Sequence, residues 1–284
     1  MEDDISQLFN QVVNVAAFLV LYLAVVVLAK WVKDKTTRFS IDEQITKEQN
    51  LAVAVTYFGY MLSISIVYIG AMLGPSEGLL TDVVKVLSYS ALGIVLLNVS
   101  RLINDKFILY QFQNYKEIIE DKNAGTGAAQ AGSHVASAMI IAASIHGQGG
   151  DMSTAVVFFL VCQVAMVIMT LAYNFITPFN IHDEIEKDNV AAGIALAGSL
   201  IAVGAVLAKG AAGDFVSWQY NLTVMAEYCI VAFLLIPLFR FLLDKIMIRG
   251  IDLNKEIATH SNVGAGLVEF AGVIGFSIVV YFLV

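Results

Sequence analysis

Two ionisable residues stand inside long apolar stretches of the chain and are the first candidates for chemistry. Glu269 interrupts "VGAGLVEFAGVIGF", and His134 lies within "AGTGAAQAGSHVASAM". A carboxylate and an imidazole can exchange protons or hold a cation. Ionisable groups cost kilocalories in a lipid environment, so residues of this kind are functional candidates by default. The two residues therefore suggest a proton or cation site, provided that the surrounding elements bring them together.

The composition of the chain indicates a membrane protein. Of the 284 residues, 58% are hydrophobic and only 14% are charged, and the mean hydropathy is +0.77. Eight apolar runs have about the 17 to 25 residues that a membrane-spanning helix needs. They lie near residues 12–30, 51–73, 83–100, 124–146, 154–173, 190–208, 221–239 and 263–284. We therefore predict an all-α polytopic membrane protein with eight transmembrane helices in the lipid bilayer.

A short motif that opens with asparagine occurs four times along the chain. The copies are "QNLAVAVTYFG", "KNAGTGAAQAG", "DNVAAGIALAG" and "SNVGAGLVEFAG", each with Ala or Gly at the second and fourth positions after the asparagine. The motif residues are Asn50, Asn123, Asn189 and Asn262, with Gly127, Gly193 and Gly266 at the fourth position of the last three copies. A shift of 139 residues maps the first two asparagines onto the last two. The repeat predicts two pseudo-twofold halves, residues 1–147 and 148–284, each made of two parallel hairpins.

A second, weaker repeat precedes each asparagine. Its copies are "FSIDEQI", "QNYKEI", "FNIHDEI" and "IDLNKEI", and their apolar residues four apart share one face of a short helix. Ser40, Asn180 and Asp252 are predicted N-caps, and Ser40 with Glu43 forms a capping-box pattern. The second copy departs from this pattern at Asn114, which stands where an apolar residue is expected. We predict short amphipathic helices on the cytoplasmic surface.

Basic residues predict the orientation of the spans. The connections that carry the motif hold all but two of the 16 Lys and Arg residues; the exceptions are Lys85 and Lys209. Because basic residues concentrate in cytoplasmic loops, the motif loops are predicted to be cytoplasmic and both termini outside.

These repeats resemble a known family. The order of a long apolar helix, a short polar helix ending in Glu-Ile or Gln-Ile, and an asparagine that opens a small-residue helix resembles the YjfL-like bacterial inner-membrane proteins, a domain of unknown function. Those proteins have about half this length, so the sequence resembles two tandem copies. The resemblance implies the bacterial inner membrane and a link to envelope stress, and it implies no established chemistry.

The distribution of small residues predicts how the spans are arranged. All four motif spans are rich in Ala and Gly, whereas the other four are bulky, so we predict an inner ring of four motif helices inside an outer ring. On such a ring Tyr57, Gln130 and Glu269 lie in one layer, about 10 Å beyond the asparagines at 1.5 Å per residue. His134 lies about 16 Å beyond them. Gln130 and Glu269 would face each other across the pseudo-twofold axis.

Each of these features also has a purely structural interpretation. The asparagines can be ordinary N-caps, and small residues allow membrane helices to approach closely. Gln130 and Glu269 can form a buried amide-to-carboxyl hydrogen bond that joins the halves. The alternative is an ion pathway formed by Glu269, His134, Gln130 and Tyr57.

The sequence favours two functions from different classes. The first is a transporter or channel for a small cation, a proton or a polar solute through the small-residue helix bundle. The second is a non-transporting scaffold or envelope-stress sensor that binds a partner through the cytoplasmic amphipathic loops. A protein partner and a homo-oligomer both stay open. The chain carries no phosphate-binding loop, HExxH, CxxC, GxSxG or dinucleotide fingerprint, so we expect no enzyme activity, no cofactor, no metal site and no nucleic-acid partner.

Overall fold

The computed structural model of the chain describes residues 2–246 and 252–284, and the regular structure in these ranges is helical. The helices are α1 (Glu2–Thr36), α2 (Ile41–Thr46), α3 (Leu51–Met72), α4 (Leu79–Ile103), α5 (Asn114–Ile119), α6 (Ala124–His146), α7 (Met152–Ile176), α8 (Ile181–Glu186), α9 (Val190–Ala211), α10 (Trp218–Ile246), α11 (Leu253–Ala258) and α12 (Val263–Leu283). A π-helical turn, Asn104–Ile108, extends α4. Eight of these helices are long and apolar enough to cross a membrane, as the sequence predicted. Two of the helices, α1 and α10, continue several residues beyond their predicted ends.

The four motif helices form an open row rather than a ring. Helix α3 packs against α6, α6 against α9, and α9 against α12. The bulky helices lie along the junctions of this row: α4 contacts α3 and α6, α7 contacts α6 and α9, and α10 contacts α9 and α12. In the described part of the chain α12 has no extensive contact with α3. The predicted ring is therefore wrong, because small-residue spacing specifies which helix edges touch but not the angle between successive helices.

The motif asparagines cap the helices of the row. Each asparagine side chain accepts a hydrogen bond from the backbone N–H three residues on, at 3.1 to 3.3 Å. The residue before each asparagine has a left-handed backbone, with φ between 47° and 62°, which turns the chain from the short helix into the long one. The N-cap interpretation of the motif is confirmed.

Small residues at the second and fourth positions after the asparagine form the junctions of the row. A Cβ placed on Gly127 would lie 2.7 Å from the carbonyl oxygen of Ala52, and one on Gly266 would lie 2.6 Å from that of Ala191. Gly193 approaches Gly125 in the same register. These distances leave no room for a side chain, so the predicted close approach of the motif helices is confirmed.

The asparagine amide groups also join successive units, which the sequence did not reveal. Asn50 Nδ2 donates to the Ile118 carbonyl at 2.8 Å, Asn123 to Ile185 at 2.6 Å, and Asn189 to Ile257 at 2.8 Å. These bonds run from each motif helix to the short helix of the next unit. All three asparagines are at most 2% exposed. Each buried amide therefore fixes the register of two units.

All four short helices form, and the apolar faces of α8 and α11 are covered, whereas Ile45 of α2 is half-buried. Ser40, Asn180 and Asp252 cap them as predicted. The reverse half of the Ser40 capping box is not seen, because Glu43 pairs with Lys47 at 2.8 Å. Ile185 and Ile257 are 0% exposed. These side chains attach the short helices to the spans and are not presented on the surface.

Candidate functional site: a polar cavity in the first half

The pseudo-twofold repeat places two sets of polar residues at equivalent positions near the motif end of the spans. A shift of 139 residues relates Arg101 to Arg240, Asp105 to Asp244, and Gln130 to Glu269. Before the first motif the shift is 140, because Ser40 precedes Asn50 by ten residues whereas Asn180 precedes Asn189 by nine. This shift relates Lys33 to Tyr173.

Matching hydrogen bonds support the alignment of Lys33 with Tyr173. Thr37 Oγ1 donates to the carbonyls of Lys33 and Phe39, and Thr177 Oγ1 donates to those of Tyr173 and Phe179. The two halves therefore build the same local backbone around different side chains.

The first half holds an open polar cavity of about 320 Å³ between α1, α3, α4, α5 and α6. An apolar cavity of about 150 Å³ already accommodates benzene, so this space is large enough for a small solute. We call it the first-half cavity. Its polar lining includes Lys33, Thr36, Thr56, Tyr57, Arg101, Asp105, Asn114 and Gln130.

Besides the exposed Arg38, two cationic side chains line the first-half cavity, and they lack a carboxylate partner among the described residues. Lys33 is 5% exposed, and its Nζ lies 4.7 Å from the centroid of the Tyr60 ring. Arg101 donates to the Thr36 carbonyl at 3.2 Å. Among the described residues, neither cation has a carboxylate oxygen within 4.0 Å. A buried cation normally needs a compensating charge.

The carboxylate of Asp105 faces the same cavity but is bound by amide groups. It accepts hydrogen bonds from Asn114 Nδ2 at 2.7 Å and Gln130 Nε2 at 3.4 Å. With Lys33, Arg38 and Arg101 protonated and Asp105 ionised, the cavity lining carries two net positive charges. The arrangement is suited to an anionic group.

The equivalent position in the second half is closed by its own ion pair. Arg240 Nε lies 2.6 Å from Glu269 Oε1, and Tyr173 Oη donates to the same oxygen at 3.0 Å. Arg240 also donates to Asn254 Oδ1 at 3.1 Å, and its guanidinium lies 4.5 Å from the Tyr173 ring centroid. The adjoining cavities measure only about 20 and 70 Å³. In the second half the protein itself therefore supplies both the cation and the anion.

The structure separates the residues that the sequence placed in one pathway. Gln130 and Tyr57 both line the first-half cavity. His134 lies one turn further along α6, with its ring 5.9 Å from that of Tyr60, and neither ring nitrogen has a partner in the described chain. Glu269 pairs with Arg240 in the other half. The expectation that Gln130 faces Glu269 was wrong, because α9 lies between α6 and α12.

Sequence reasoning missed three residues of the first-half cavity. Lys33 and Arg101 were treated as loop charges that report topology, yet both lie inside long helices. Asp105 lies in the π-helical turn. The signal that could have found them is the break in symmetry between the halves: Lys33 replaces a tyrosine and Gln130 replaces a glutamate. Asn114 departs from its own repeat because it donates to Asp105.

Buried polar side chains continue beyond the cavity in the core of the first half. Ser63, Ser90 and Ser137 are 0% exposed, and Gln163 Nε2 donates to Ser137 Oγ at 3.0 Å. Ser90 Oγ, like the His134 ring, has no partner within the described ranges. These groups lie on α3, α4, α6 and α7. We call them, together with His134, the polar seam.

Comparison with known proteins identifies the family. A UPF0719 transmembrane protein of Aquifex aeolicus (strain VF5) is 24% identical over 232 residues, which cover 80% of this chain and 84% of the relative. No solved structure matches. The family described as Domain of Unknown Function (DUF350) matches residues 7–145 and again residues 149–284. The chain is therefore a member of the DUF350 family of membrane proteins, with two tandem copies of the domain.

Proposed function

We propose that this membrane protein transports a small anionic solute, and that the first-half cavity is its binding site. The observation that carries the proposal is the buried amino group of Lys33, which has no carboxylate oxygen within 4.0 Å among the described residues and faces a solute-sized cavity together with Arg101. The sequence favoured a cation or proton at Glu269. The structure shifts our proposal to an anion, because Glu269 already has a cationic partner and no described residue gives Lys33 an anionic one.

The cost of burying a cation favours a bound anion in the first half. Removing a cation from water costs several kilocalories per mole unless an opposite charge compensates for it. In the second half Glu269 provides that compensation for Arg240 at 2.6 Å. In the first half the residue equivalent to Glu269 is Gln130, which is neutral and donates to Asp105. A bound anion would complete the charge balance of the first half.

The direction of access follows from the predicted topology. The cavity lies at the motif end of the helices, which the basic residues predict to be cytoplasmic. The polar seam continues from this end into the core of the first half and gives a solute or a coupled proton polar groups along its route. We therefore propose that the solute enters from the cytoplasm and that passage requires a conformational change, because the seam residues are packed.

The scaffold alternative has weaker support. It required the apolar faces of the short helices, at Ile45, Ile185 and Ile257, to be available to a partner. Ile185 and Ile257 are fully covered within the chain, and Ile45 is half-buried.

The experiment is uptake of radiolabelled phosphate, acetate or chloride into liposomes that contain the purified protein. We expect uptake of at least one of these anions above empty liposomes, and a loss of at least tenfold in Lys33→Gln and Arg101→Gln. Lys209→Gln is the matched control, because Lys209 Nζ also lies over a tyrosine ring, 4.9 Å from Tyr281, on a different helix. This control should retain wild-type uptake.

Two results would contradict the proposal. One is the absence of uptake of all three anions across a range of pH and membrane potential. The other is uptake that Lys33→Gln and Arg101→Gln reduce no more than Lys209→Gln does. Melting curves of each variant in detergent separate a loss of transport from a loss of folding.

A further inference from the structure

The three junctions of the motif row use one repeated set of contacts. In each junction the asparagine amide of one unit donates to the isoleucine carbonyl of the next unit's short helix. The residue two positions after the first asparagine packs on the residue four positions after the next one, as in Ala52 with Gly127 and Ala191 with Gly266. Every unit thus has a leading edge and a trailing edge that fit each other.

Further contacts follow the same register. The residue nine positions after one asparagine meets the residue eight positions after the next: Gly59 meets Ala131, Gly132 meets Ala197, and Gly198 meets Phe270. The loop before the motif also contacts the preceding unit, because Lys122 Nζ donates to the carbonyl of Glu48 at 2.9 Å. The junction is therefore a defined interface that extends from the loop into the membrane.

The two ends of the row are left with one unmatched edge each. Asn262 donates to Glu256 within its own unit at 2.9 Å and is exposed, whereas the other three asparagines are at most 2% exposed. At the opposite end, no side chain in the described ranges donates to the Ile45 carbonyl. The Asn262 amide therefore makes no inter-unit bond of the kind that the other three asparagines make. The Ile45 carbonyl is the matching acceptor at the other end of the row.

The membrane-embedded parts of these edges are exposed at matching positions. On α12 the exposed residues include Gly264 and Ala271, which are the second and ninth positions after Asn262. On α3 the eighth position after Asn50 is Phe58, whose side chain is 66% exposed, and the fourth is the half-buried Ala54. In the register of the internal junctions, Gly264 would meet Ala54 and Ala271 would meet Phe58.

Helix α1 also lies beside the position where a further motif helix would fit. Helices α4, α7 and α10 each contact two consecutive motif helices extensively, whereas α1, within the described residues, has such contact with α3 alone of the motif row. A motif helix placed beside the free edge of α3 would give α1 its second contact. The single missing neighbour thus accounts for the exposed edge of α3 and for the position of α1.

We propose that a second copy of this chain continues the row, with its α3 packed on α12 of the first copy. The occupant is a second copy because the two free edges complement each other in the register that the chain uses three times internally. The contact is head-to-tail, so each copy uses α12 towards one neighbour and α3 towards another. Such an interface forms rings when the rotation between copies closes and open chains when it does not.

Cross-linking of cysteine variants tests this arrangement. In a background with Cys162→Ala and Cys229→Ala, the pair Gln49→Cys and His260→Cys occupies the positions equivalent to Lys122 and Glu48. A short bis-maleimide applied to membranes should link one chain to another and give bands at twice the mass of the chain or more. The variant with Glu48→Cys and Lys122→Cys is the positive control and should cross-link within one chain without dimers.

The single variants decide the type of interface. A mixture of chains carrying only Gln49→Cys with chains carrying only His260→Cys should cross-link, whereas either variant alone should not. Cross-linking of one single variant with itself at the level of the double variant would overturn the head-to-tail arrangement in favour of a twofold interface. Absence of intermolecular bands in the double variant, with the intramolecular control positive, would overturn the proposal altogether.

Bulky substitution provides an independent readout. Gly264→Trp should reduce the mass of the particle in mild detergent towards the monomer, as measured by light scattering. Leu234→Trp, on the exposed face of α10, should leave the mass unchanged. An unchanged oligomer in Gly264→Trp would contradict the proposed interface, as would a wild-type protein that is monomeric in both mild detergent and lipid nanodiscs.

Discussion

At equivalent positions, the two halves of this protein treat buried charge differently. In the second half Arg240 and Glu269 lie 2.6 Å apart and fill the space between the helices. In the first half Lys33 and Arg101 line an open cavity of about 320 Å³, with Asp105 bound to amide groups. The turn that follows the first helix of each half has the same hydrogen bonds, at Thr37 and at Thr177. The difference shows that equivalent positions of a repeat can either be closed by an internal ion pair or stay open as a polar cavity.

The strongest test of this comparison removes the central cation from each half. Arg240→Met leaves the buried carboxylate of Glu269 without its partner, and breaking such a pair costs about 3–5 kcal/mol. Lys33→Met removes a cation that has no partner, so we expect its effect to stay within about 1 kcal/mol. Denaturation of the purified variants in detergent measures both free energies of unfolding. Equal losses in the two variants would contradict the distinction between a closed and an open site.

The asparagine junctions allow a second comparison. Asn123→Ala removes a helix cap, worth about 1 kcal/mol, and a buried hydrogen bond to the next unit, worth about 1 kcal/mol more. In the monomer, Asn262→Ala also removes a cap, and its bond to Glu256 corresponds to the bond of Asn123 to Glu117, so its loss should be smaller by the inter-unit bond, about 1 kcal/mol. Denaturation in a detergent that separates the copies measures this difference. A loss in Asn262→Ala that equals the loss in Asn123→Ala under those conditions would show that the inter-unit bond contributes nothing.

Exchanging the residue that distinguishes the halves gives a smaller effect. Gln130→Glu introduces the carboxylate of the second half into the first-half cavity, where it would compete with an anionic solute for Lys33 and repel it. We expect anion uptake to fall about tenfold, which corresponds to about 1.4 kcal/mol. Gln219→Glu, at an exposed position of α10, provides a comparison outside the cavity and the polar seam. Uptake that is unchanged or increased in Gln130→Glu would contradict the proposed charge balance.

The smallest effect concerns a histidine at the centre of the chain. His182 of α8 is 0% exposed, its Nε2 lies 2.7 Å from the Ile108 carbonyl, and burial lowers the pKa of its imidazole below the ordinary value of 6.5. The unfolded chain therefore takes up a proton first as the pH falls through 6.5, and the stability present above this pH is progressively lost. One proton accounts for at most about 0.7 kcal/mol between pH 7 and pH 6.

His182→Gln tests this effect, because its amide can still donate to Ile108. Melting temperatures of both proteins from pH 8 to pH 5 should fall less steeply in the variant. Parallel curves would show that His182 does not titrate on unfolding in this range.

Local features of the fold were predictable from the residues themselves. Asparagine before a small-residue span indicates a helix cap, and all four caps form. Hydropathy alone indicated eight spans. The predicted ring failed because the spacing of Ala and Gly marks two contacting edges on each helix, at the second and fourth positions, without defining the angle between neighbours. The row and its free ends depend on that angle.

The candidate site was only partly predictable. Tyr57 and Gln130 were chosen for their depth below the asparagine layer, and both line the first-half cavity. Lys33 and Arg101 were not chosen, because a basic residue near the end of a span is usually a topology signal that reaches water. Their burial follows from the packing of α1, α4 and α5, which no local pattern specifies. Glu269 lies in the helix α12 that the sequence predicted, but its partner Arg240 lies on α10, a helix that the sequence assigned to the outer ring.

The most direct test of the account is the melting temperature of the purified protein during titration with phosphate, acetate or chloride at constant ionic strength. A ligand that binds only the folded state adds about 2.7 kcal/mol of stability at 100 times its Kd. We predict a saturable rise of the melting temperature with at least one of these anions in the wild type, and the loss of this rise in Lys33→Gln. Identical titrations in the two proteins, or no rise with any anion, would contradict an anion site at Lys33.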